Sequence, residues 1–129
     1  MNSCLVHISI GELYDKYTIL EIKYDKIKDV DKLKMINTEK DYLKVHIDKY
    51  NDLLDLHIII EELKKINEIL WDIEDAIREK EKKQEFDSEF INLARSVYKT
   101  NDKRSIIKKQ INQLLQSEIV EIKSYLEYK

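Results

Sequence analysis

Polar residues that interrupt an apolar helical pattern near the carboxyl end are the first candidates for chemistry. Asn101, Arg104, Lys108 and Asn112 follow one another at intervals of three, four and four residues, so a helix would place them on one side. Two cations and two amides on one face suit an anion such as a carboxylate, a phosphate or a sugar phosphate, which arginine binds bidentately. The pattern therefore predicts a small-anion site, to which Arg95 would add a third cation.

The same residues have a second interpretation, as ion pairs between helices, and this is the one we favour. Residues 68–79 contain five carboxylates and one arginine, whereas residues 99–112 contain five basic residues and one carboxylate. Antiparallel packing would bring these segments together, and the ion pairs would fix helix register more than they add stability. Arg104 would then face Asp72 or Asp75 with no cavity, and Arg104→Met would be near neutral or modestly destabilising.

Residues of the third helix could complete an active site around such an anion. Glu74 or Asp75 would act as an acid or base, and Arg78 lies two turns beyond Trp71. Trp71 is flanked by Asp72 and Asp75 and could form an aromatic floor for a sugar or a base. A core or interface anchor is the commoner role for such a tryptophan.

The acidic residues of this helix do not complete a metal site. Glu68 and Asp72 could share a helical face, as could Asp72 and Asp75. A magnesium site would need a second carboxylate pair on another helix, and Glu12 with Asp15 is the only suitably spaced pair. None of the three histidines lies in the Glu-x-x-His motif that di-iron bundles use. We therefore expect no metal and no other cofactor.

Apolar residues at helical spacing define the elements that must position these side chains. Ser9 and Glu12 form a capping box before a first helix that ends near Asp29. Asp31 is a suitable cap for a second helix. A break follows at residues 51–55, and a continuous helix through it is an alternative.

The third and fourth helices are the longest and form the spine. The third has an unbroken stripe at intervals of three and four residues: Leu56, Ile59, Leu63, Ile66, Leu70, Ile73 and Ile77. The fourth begins after a cap at Asp87 or Ser88 and ends near Ser117. Residues 119–126 favour another helical turn or two, with a strand paired to residues 5–8 as the alternative. The sequence thus predicts an all-α antiparallel bundle of about four helices.

Composition excludes several fold classes. The chain has 129 residues with one glycine and no proline, so a barrel or sandwich lacks its turns. A glycine-rich nucleotide loop cannot be built from Gly11 alone. The length fits one helical-bundle domain spanning residues 1–129.

Charge and hydropathy limit the partners. Twenty-three basic and twenty-six acidic residues are interleaved, so no positive field attracts nucleic acid. The longest apolar run, Ile58-Ile59-Ile60, is far shorter than a membrane span. The amino terminus lacks the features of a signal peptide, and Cys4 is the only cysteine. We expect a cytoplasmic protein that contacts no membrane.

Several motifs together resemble a family of short all-helical proteins of unknown function. They are Ser9-Ile10-Gly11-Glu12-Leu13, Asn67-Glu68, Leu70-Trp71, Leu93-Ala94-Arg95-Ser96-Val97-Tyr98, Asn101-Asp102 and Ile111-Asn112. The resemblance implies an occurrence in bacteria and viruses, sometimes near sugar-transfer genes. This chain has Gln116 where the family has glycine, and Ile122 where it has a second glutamate.

Two functions are compatible with these observations. The first is a non-catalytic binding or scaffold module that joins itself as a dimer, or joins a partner protein, with surface-glycan assembly implied by the resemblance. The alternative is an enzyme or binding protein for a small anionic metabolite. In that case Arg95, Arg104 and Lys108 would hold the anion, and Asn101 and Asn112 would orient it.

Overall fold

Four α-helices make up most of the computed structural model, which describes residues 2–50 and 53–128. α1 spans Ile10–Lys26, α2 Val30–Ile47, α3 Leu54–Lys82 and α4 Ser88–Leu114. A 3-10 turn, Asp48–Tyr50, follows α2. The described residues contain no strand, so the predicted all-α bundle with two long spine helices is confirmed.

α1 is the central helix of the bundle. It packs against α2, α3 and α4, while α3 also packs along α4. In the described part of the chain, α2 packs only on α1 and on the 3-10 turn. Because α1 has neighbours on several sides, it buries a second face at intervals of four, three and four residues, formed by Gly11, Asp15, Thr18 and Ile22.

The hydrophobic core lies where α1 crosses α3 and α4. The regular stripe of α3 is confirmed at its start, since Leu56 and Leu63 are 1% and 0% exposed. Full burial of a leucine stabilises the fold by about 1.5–3 kcal/mol relative to exposure. The remaining buried members of this core are Leu13, Tyr14, Ile47, Ile107 and Ile111. In the part of the chain that the structure describes, no helix is both long and apolar enough to cross a membrane.

The end of α1 and the start of α2 differ from the prediction, because Asp29 and not Asp31 is the N-cap of α2. The Asp29 carboxylate accepts from the amides of Asp31 at 2.9 Å and Lys32 at 3.1 Å. α1 consequently ends at Lys26, before residue 29. The alternative of a continuous helix through the next break is wrong, since α2 ends at Ile47; residues 51 and 52 themselves lie outside the described residues.

The connection between α3 and α4 is organised by one lysine. Lys80 Nζ lies 3.2 Å from a Glu85 oxygen and 3.0 Å from oxygens of both Asp87 and Glu89. Asp87, one of the two predicted caps, accepts from the Phe90 amide at 2.9 Å. The lysine therefore ties the last turn of α3 to the first turn of α4.

Residues 115–128 form a carboxyl-terminal tail with no helix, so the predicted helical turns at 119–126 are wrong. The strand alternative is also wrong, because residues 5–8 and the tail contain no strand. Ser117 starts no helix in the tail; its hydroxyl accepts from the Ile10 amide at the start of α1 and donates to the Ile119 carbonyl. The tail returns along α4, where the Tyr128 hydroxyl donates to Asp102 at 2.6 Å.

Both long helices end in a Schellman motif with glutamine at the left-handed position. Gln84 and Gln116 have φ values of 56° and 52°. At the end of α4, the Ser117 amide donates to the Asn112 carbonyl at 2.8 Å, which is the bond that defines the motif. Glycine is the residue that normally occupies this position, because it has no Cβ to clash with the backbone.

Gln116→Gly is expected to raise the free energy of unfolding by up to about 1 kcal/mol, since it removes left-handed strain from a residue with a side chain. Gln113→Gly is the matched control. Position 113 lies within α4, so the same substitution there should lower stability by about 0.5–1 kcal/mol. Urea denaturation of both variants measures the difference; destabilisation by Gln116→Gly as large as that of the control would contradict the expectation.

Candidate functional site

A buried carboxylate on α1 is the centre of the candidate site. Asp15 is 1% exposed and accepts from Arg104 Nε of α4 at 2.9 Å through one oxygen. Arg104 Nη2 donates to the other oxygen, so the pair is bidentate. Asn67 Nδ2 of α3 donates to Asp15 and to the Thr18 hydroxyl, at 3.0 Å each. The carboxylate thus joins three helices.

Lys108 extends this arrangement towards the tail. Its Nζ lies 2.7 Å from Glu12 and 3.1 Å from Glu121, and its side chain is 9% exposed. A third carboxylate, that of Asp15, lies 3.9 Å away. We call Glu12, Asp15, Asn67, Arg104, Lys108 and Glu121 the polar cluster. It connects α1, α3, α4 and the tail.

The first turn of α1 is capped by side chains from a distant part of the chain. The Glu12 amide donates to Ser9 Oγ at 3.1 Å, which is one half of the predicted capping box; the Glu12 carboxylate pairs with Lys108 and does not return to the Ser9 amide. The Gly11 amide donates to Asn112 Oδ1 at 2.6 Å, and the Ile10 amide donates to Ser117 Oγ at 3.1 Å. Three of the amides that a helix leaves without an intrahelical partner are therefore satisfied.

Gly11 allows α1 and α4 to approach this closely. A Cβ atom at this position would lie 2.5 Å from the Lys108 carbonyl oxygen and 3.0 Å from Asn112 Oδ1. The first contact is with backbone, which cannot rotate away as a side chain can. Any larger residue must therefore move α1 away from α4.

Mutual pairing favours the charged forms of Asp15, Lys108 and Glu121. Burial raises the pKa of Asp15, but hydrogen bonds from Arg104 and Asn67 and the charge of Lys108 outweigh burial and hold the pKa below its ordinary value. Burial lowers the pKa of Lys108, yet its hydrogen bonds to Glu12 and Glu121 leave it above its ordinary value. The hydrogen bond from Lys108 likewise lowers the pKa of Glu121.

Acid should weaken the fold through Asp15. Because its pKa is lower in the folded chain, Asp15 contributes stability that is present above the unfolded aspartate pKa of about 3.9 and lost as pH falls through the folded value. Carbon-detected NMR titration of the wild-type side-chain carboxyls measures the folded pKa directly. A midpoint for Asp15 at or above about 3.9 would contradict the pairing described here.

The structure brings together only part of the predicted site. Arg104 and Lys108 belong to the polar cluster, Asn101 Oδ1 accepts from Arg104 Nη1 at 3.4 Å, and Asn112 binds the Gly11 amide. Arg95 is exposed and does not join them.

The predicted residues of α3 do not join the cluster through any hydrogen bond or ion pair between described residues. Arg78 pairs with Glu74 of its own helix at 3.7 Å. Trp71 is half-buried and Asp75 is exposed.

The expectation that Arg104 faces Asp72 or Asp75 is wrong. Arg104 pairs with Asp15, whereas Asp72 lies 3.9 Å from Lys26 at the end of α1. The physical reason is that α1 lies against α3 and α4 and supplies the carboxylates itself. Arg104 and Lys108 thus form ion pairs, with α1 and the tail in place of α3, but the expected absence of a cavity at Arg104 is wrong, because Arg104 lines a groove.

Sequence reasoning missed Asp15 as the partner of Arg104, and missed Thr18 and Asn67 as the polar side chains bonded around it. Thr18 and Asn67 are 0% and 5% exposed. Polar residues are seldom buried so fully unless they have hydrogen-bond partners. A signal for Asp15 and Thr18 was present, because both share one side of α1 with Gly11. Glu121 had no such signal, since its position depends on the path of the tail.

Two grooves adjoin the cluster. One, of about 890 Å³, lies between α4 and the tail and is lined by Tyr98, Asn101, Arg104, Lys123 and Tyr128 among others. The other, of about 630 Å³, includes Lys108 and Glu121. Across residues 2–50 and 53–128 no group of three or more His, Cys, Asp or Glu side chains is placed to hold a metal ion.

Comparison with known proteins gives the family but no activity. The model of a family of unknown function, DUF6165, matches residues 4–128. No curated protein and no solved structure matches the chain significantly. Since the match covers nearly the whole sequence, the expected resemblance to a family of unknown function is confirmed, and the chain belongs to the DUF6165 family.

Proposed function

We propose that this protein is a non-catalytic binding module, in which the polar cluster holds the fold together and partners bind outside it. One observation carries the proposal: buried Lys108 and half-buried Arg104 are both already paired with carboxylates of the same chain. Asp15 forms an ion pair with Arg104, and Glu12 and Glu121 form ion pairs with Lys108. Three carboxylates around two cations leave excess negative charge, which opposes the entry of an anion.

The outward face of α2 supports a binding role. Met35, Tyr42 and Val45 are 72%, 74% and 65% exposed. They lie seven and three residues apart, together with Thr38, which is the spacing of a seam that meets another helix. Exposed apolar residues in such a row are typical of surfaces that contact another protein.

The cellular setting is part of the same proposal. The module works in the cytoplasm, and its partners belong to the machinery of surface-glycan assembly. The support for this connection is the sequence resemblance, which implies that such proteins sometimes occur near sugar-transfer genes. The binding role itself does not depend on it.

A photo-crosslinking amino acid placed at Tyr42 tests the proposal in cells that naturally express the protein. We expect one main cross-linked protein from this position. The same group at Asp25, an exposed position at the end of α1, serves as the control and should not capture it. Met35→Glu should abolish the product. Cross-links that are absent at Tyr42, or identical at both positions, would contradict the proposal.

A binding site for a small anion is the second candidate, and one observation favours it. The Arg104 side chain is 28% exposed and lines the groove between α4 and the tail. The guanidinium has five N–H donors, of which the bonds to Asp15 and Asn101 use three. The remaining donors, together with Lys123, which lines the same groove and pairs with Glu121, could bind a carboxylate or phosphate.

A thermal-shift screen tests this candidate with phosphates, sugar phosphates, nucleotide sugars, dicarboxylates and divalent metals. A ligand at 100 times its dissociation constant should stabilise the protein by about 2.7 kcal/mol. Lys123→Met should remove the shift, whereas Lys103→Met should keep it, because Lys103 is exposed and lies outside this groove. Arg104 is unsuitable as the probe because its loss destabilises the fold. No shift with any compound rejects the candidate.

A further inference from the structure

The outward face of α2 has no neighbour within the described chain. There α2 packs only on α1 and on the 3-10 turn, and its buried residues are Ile36 and Ile47. Met35, Tyr42 and Val45 lie on the opposite side of the helix, where each is more than half exposed. α2 is therefore an outer helix with an apolar row on its uncovered side.

Charged residues flank this row on both sides, with the basic residue before the acidic one. Lys32 and Glu39 lie seven residues apart on one side, and Lys34 and Asp41 lie seven residues apart on the other. All four are exposed, and none of their side chains forms a hydrogen bond or ion pair within the described residues. Each side thus runs from a positive to a negative charge along the helix. A surface with this order of charges is complementary to itself when one copy is turned around.

We infer that the outward face of α2 binds the same face of a second copy of this chain, with the two helices antiparallel. In this orientation the positive end of each side meets the negative end of the same side on the other copy, as a two-fold axis requires. The second copy is thus the partner in the binding role proposed above, on which this inference rests.

The charges also select how the two helices are aligned. Placing Met35 level with Thr38 of the second copy brings Lys32 within about 3 Å, along the helix axis, of Glu39 of that copy. The second pair of opposite charges, on the other side of the row, is equally close. Because the two-fold axis repeats both contacts, four ion pairs flank the apolar row.

Two other arrangements of the same faces bring like charges together. An antiparallel alignment with Met35 level with Val45 sets the two copies of Glu39 against each other near the two-fold axis. The two copies of Asp41 meet there as well. A parallel pair sets Asp31 against its own copy and aligns the two helix macrodipoles side by side. The alignment that pairs residues 35 and 38 separates all of these like charges.

Charge reversal tests the self-association by sedimentation equilibrium of the purified chain. Lys32→Glu/Lys34→Glu should weaken dimerisation at least about tenfold, because like charges then meet at four places. A fourfold variant that adds Glu39→Lys and Asp41→Lys should dimerise as the wild type does, since every ion pair is restored with its charges exchanged. The fourfold variant also keeps the net charge of the wild type, so its recovery separates pairing from net charge.

Lys99→Glu/Lys103→Glu is the matched control for the double reversal. It makes the same change in net charge at two exposed positions of α4, away from α2, and should leave dimerisation unchanged. Far-UV circular dichroism confirms that each variant is folded.

Disulfide formation tests the alignment in a Cys4→Ser background, because Cys4 is the only cysteine. A mixture of Asp31→Cys and Tyr42→Cys chains should form a mixed disulfide, since these positions lie level across the interface. Neither variant should link to itself, because the two copies of each position lie about 16 Å apart along the axis, beyond the reach of a disulfide. Tyr42→Cys chains that link to themselves would show a parallel pair and overturn the antiparallel one.

A wild type that stays monomeric up to about 1 mM chain overturns the inference. Reversed charges that leave dimerisation intact, or a folded fourfold variant that does not recover, overturn it as well. A monomeric chain whose Tyr42 position cross-links a different protein in cells keeps the binding role and rejects only the second copy as partner. A monomeric chain with no cross-link at Tyr42 rejects both.

Discussion

Asp15→Asn is expected to lower the free energy of unfolding by about 3–5 kcal/mol, because it leaves the guanidinium of Arg104 without a carboxylate in a partly buried place. The substitution keeps the size and shape of the side chain. Asp15 is 1% exposed and accepts hydrogen bonds from both Arg104 and Asn67. Water therefore cannot readily enter to solvate Arg104 in place of the lost carboxylate. Urea denaturation followed by circular dichroism measures the loss.

Asp75→Asn is the matched control for this variant. Asp75 is an exposed carboxylate with no hydrogen bond or ion pair in the described chain, so the same change should alter stability by less than about 0.5 kcal/mol. Equal stability of the two variants would show that the buried pair contributes nothing to the fold.

The buried carboxylate also changes the expectation for Arg104→Met. The sequence interpretation gave a near-neutral or modest effect, because it placed the arginine opposite the exposed carboxylates of α3. Removing Arg104 instead leaves Asp15 buried with only Asn67 and the more distant Lys108 to balance it. We now expect a loss comparable to that of Asp15→Asn.

Gly11→Ala is expected to destabilise the protein by about 2–3 kcal/mol, through steric overlap and a lost hydrogen bond. The new Cβ would lie 2.5 Å from the Lys108 carbonyl oxygen, so α1 must move away from α4. That movement breaks the bond from the Gly11 amide to Asn112 and separates Glu12 from Lys108. Thermal and urea denaturation measure the change.

The sign of this effect is informative because helix propensity predicts the opposite. Alanine in place of glycine inside a helix stabilises by about 1 kcal/mol where nothing else changes. Lys16→Ala, at an exposed position of the same helix, should have an effect below about 0.5 kcal/mol. A Gly11→Ala variant more stable than the wild type would disprove the close approach of the two helices.

The sequence was sufficient for the helices because their burial follows a simple period. The stripe of α3 repeats every three or four residues, and the caps at Ser9 and Asp87 are residues with strong end preferences. The second buried face of α1 was not predicted, since it contains Gly11, Asp15 and Thr18. Such residues do not stand out as core positions until the helices on both sides are known.

The site was predictable on α4 and unpredictable in its partners. The polar interruption drew attention to Arg104 and Lys108, which the structure pairs with carboxylates, because a buried helix rarely becomes polar without a reason. Charge counts then pointed to α3 as the partner, although α1 supplies Asp15 and Glu12. Net charge along a segment does not show which side of a helix faces which neighbour.

The tail was mispredicted because its conformation depends on contacts far away in sequence. Residues 119–126 include enough apolar residues for a helix, yet Ser117 binds the Ile10 amide and Glu121 binds Lys108. These contacts, together with that of Tyr128 with Asp102, hold the segment against α4 without a helix. Local propensity is weaker than such tertiary contacts.

The central claim is that Arg104 has a structural role as the ion-pair partner of Asp15, and not a role in binding a ligand. A double-mutant cycle of Asp15→Asn and Arg104→Gln, measured by urea denaturation, tests this most directly. We predict a coupling free energy of about 2 kcal/mol or more, with the double variant more stable than the sum of the single losses implies. Additive losses, or an Arg104→Gln variant as stable as the wild type, would contradict the account.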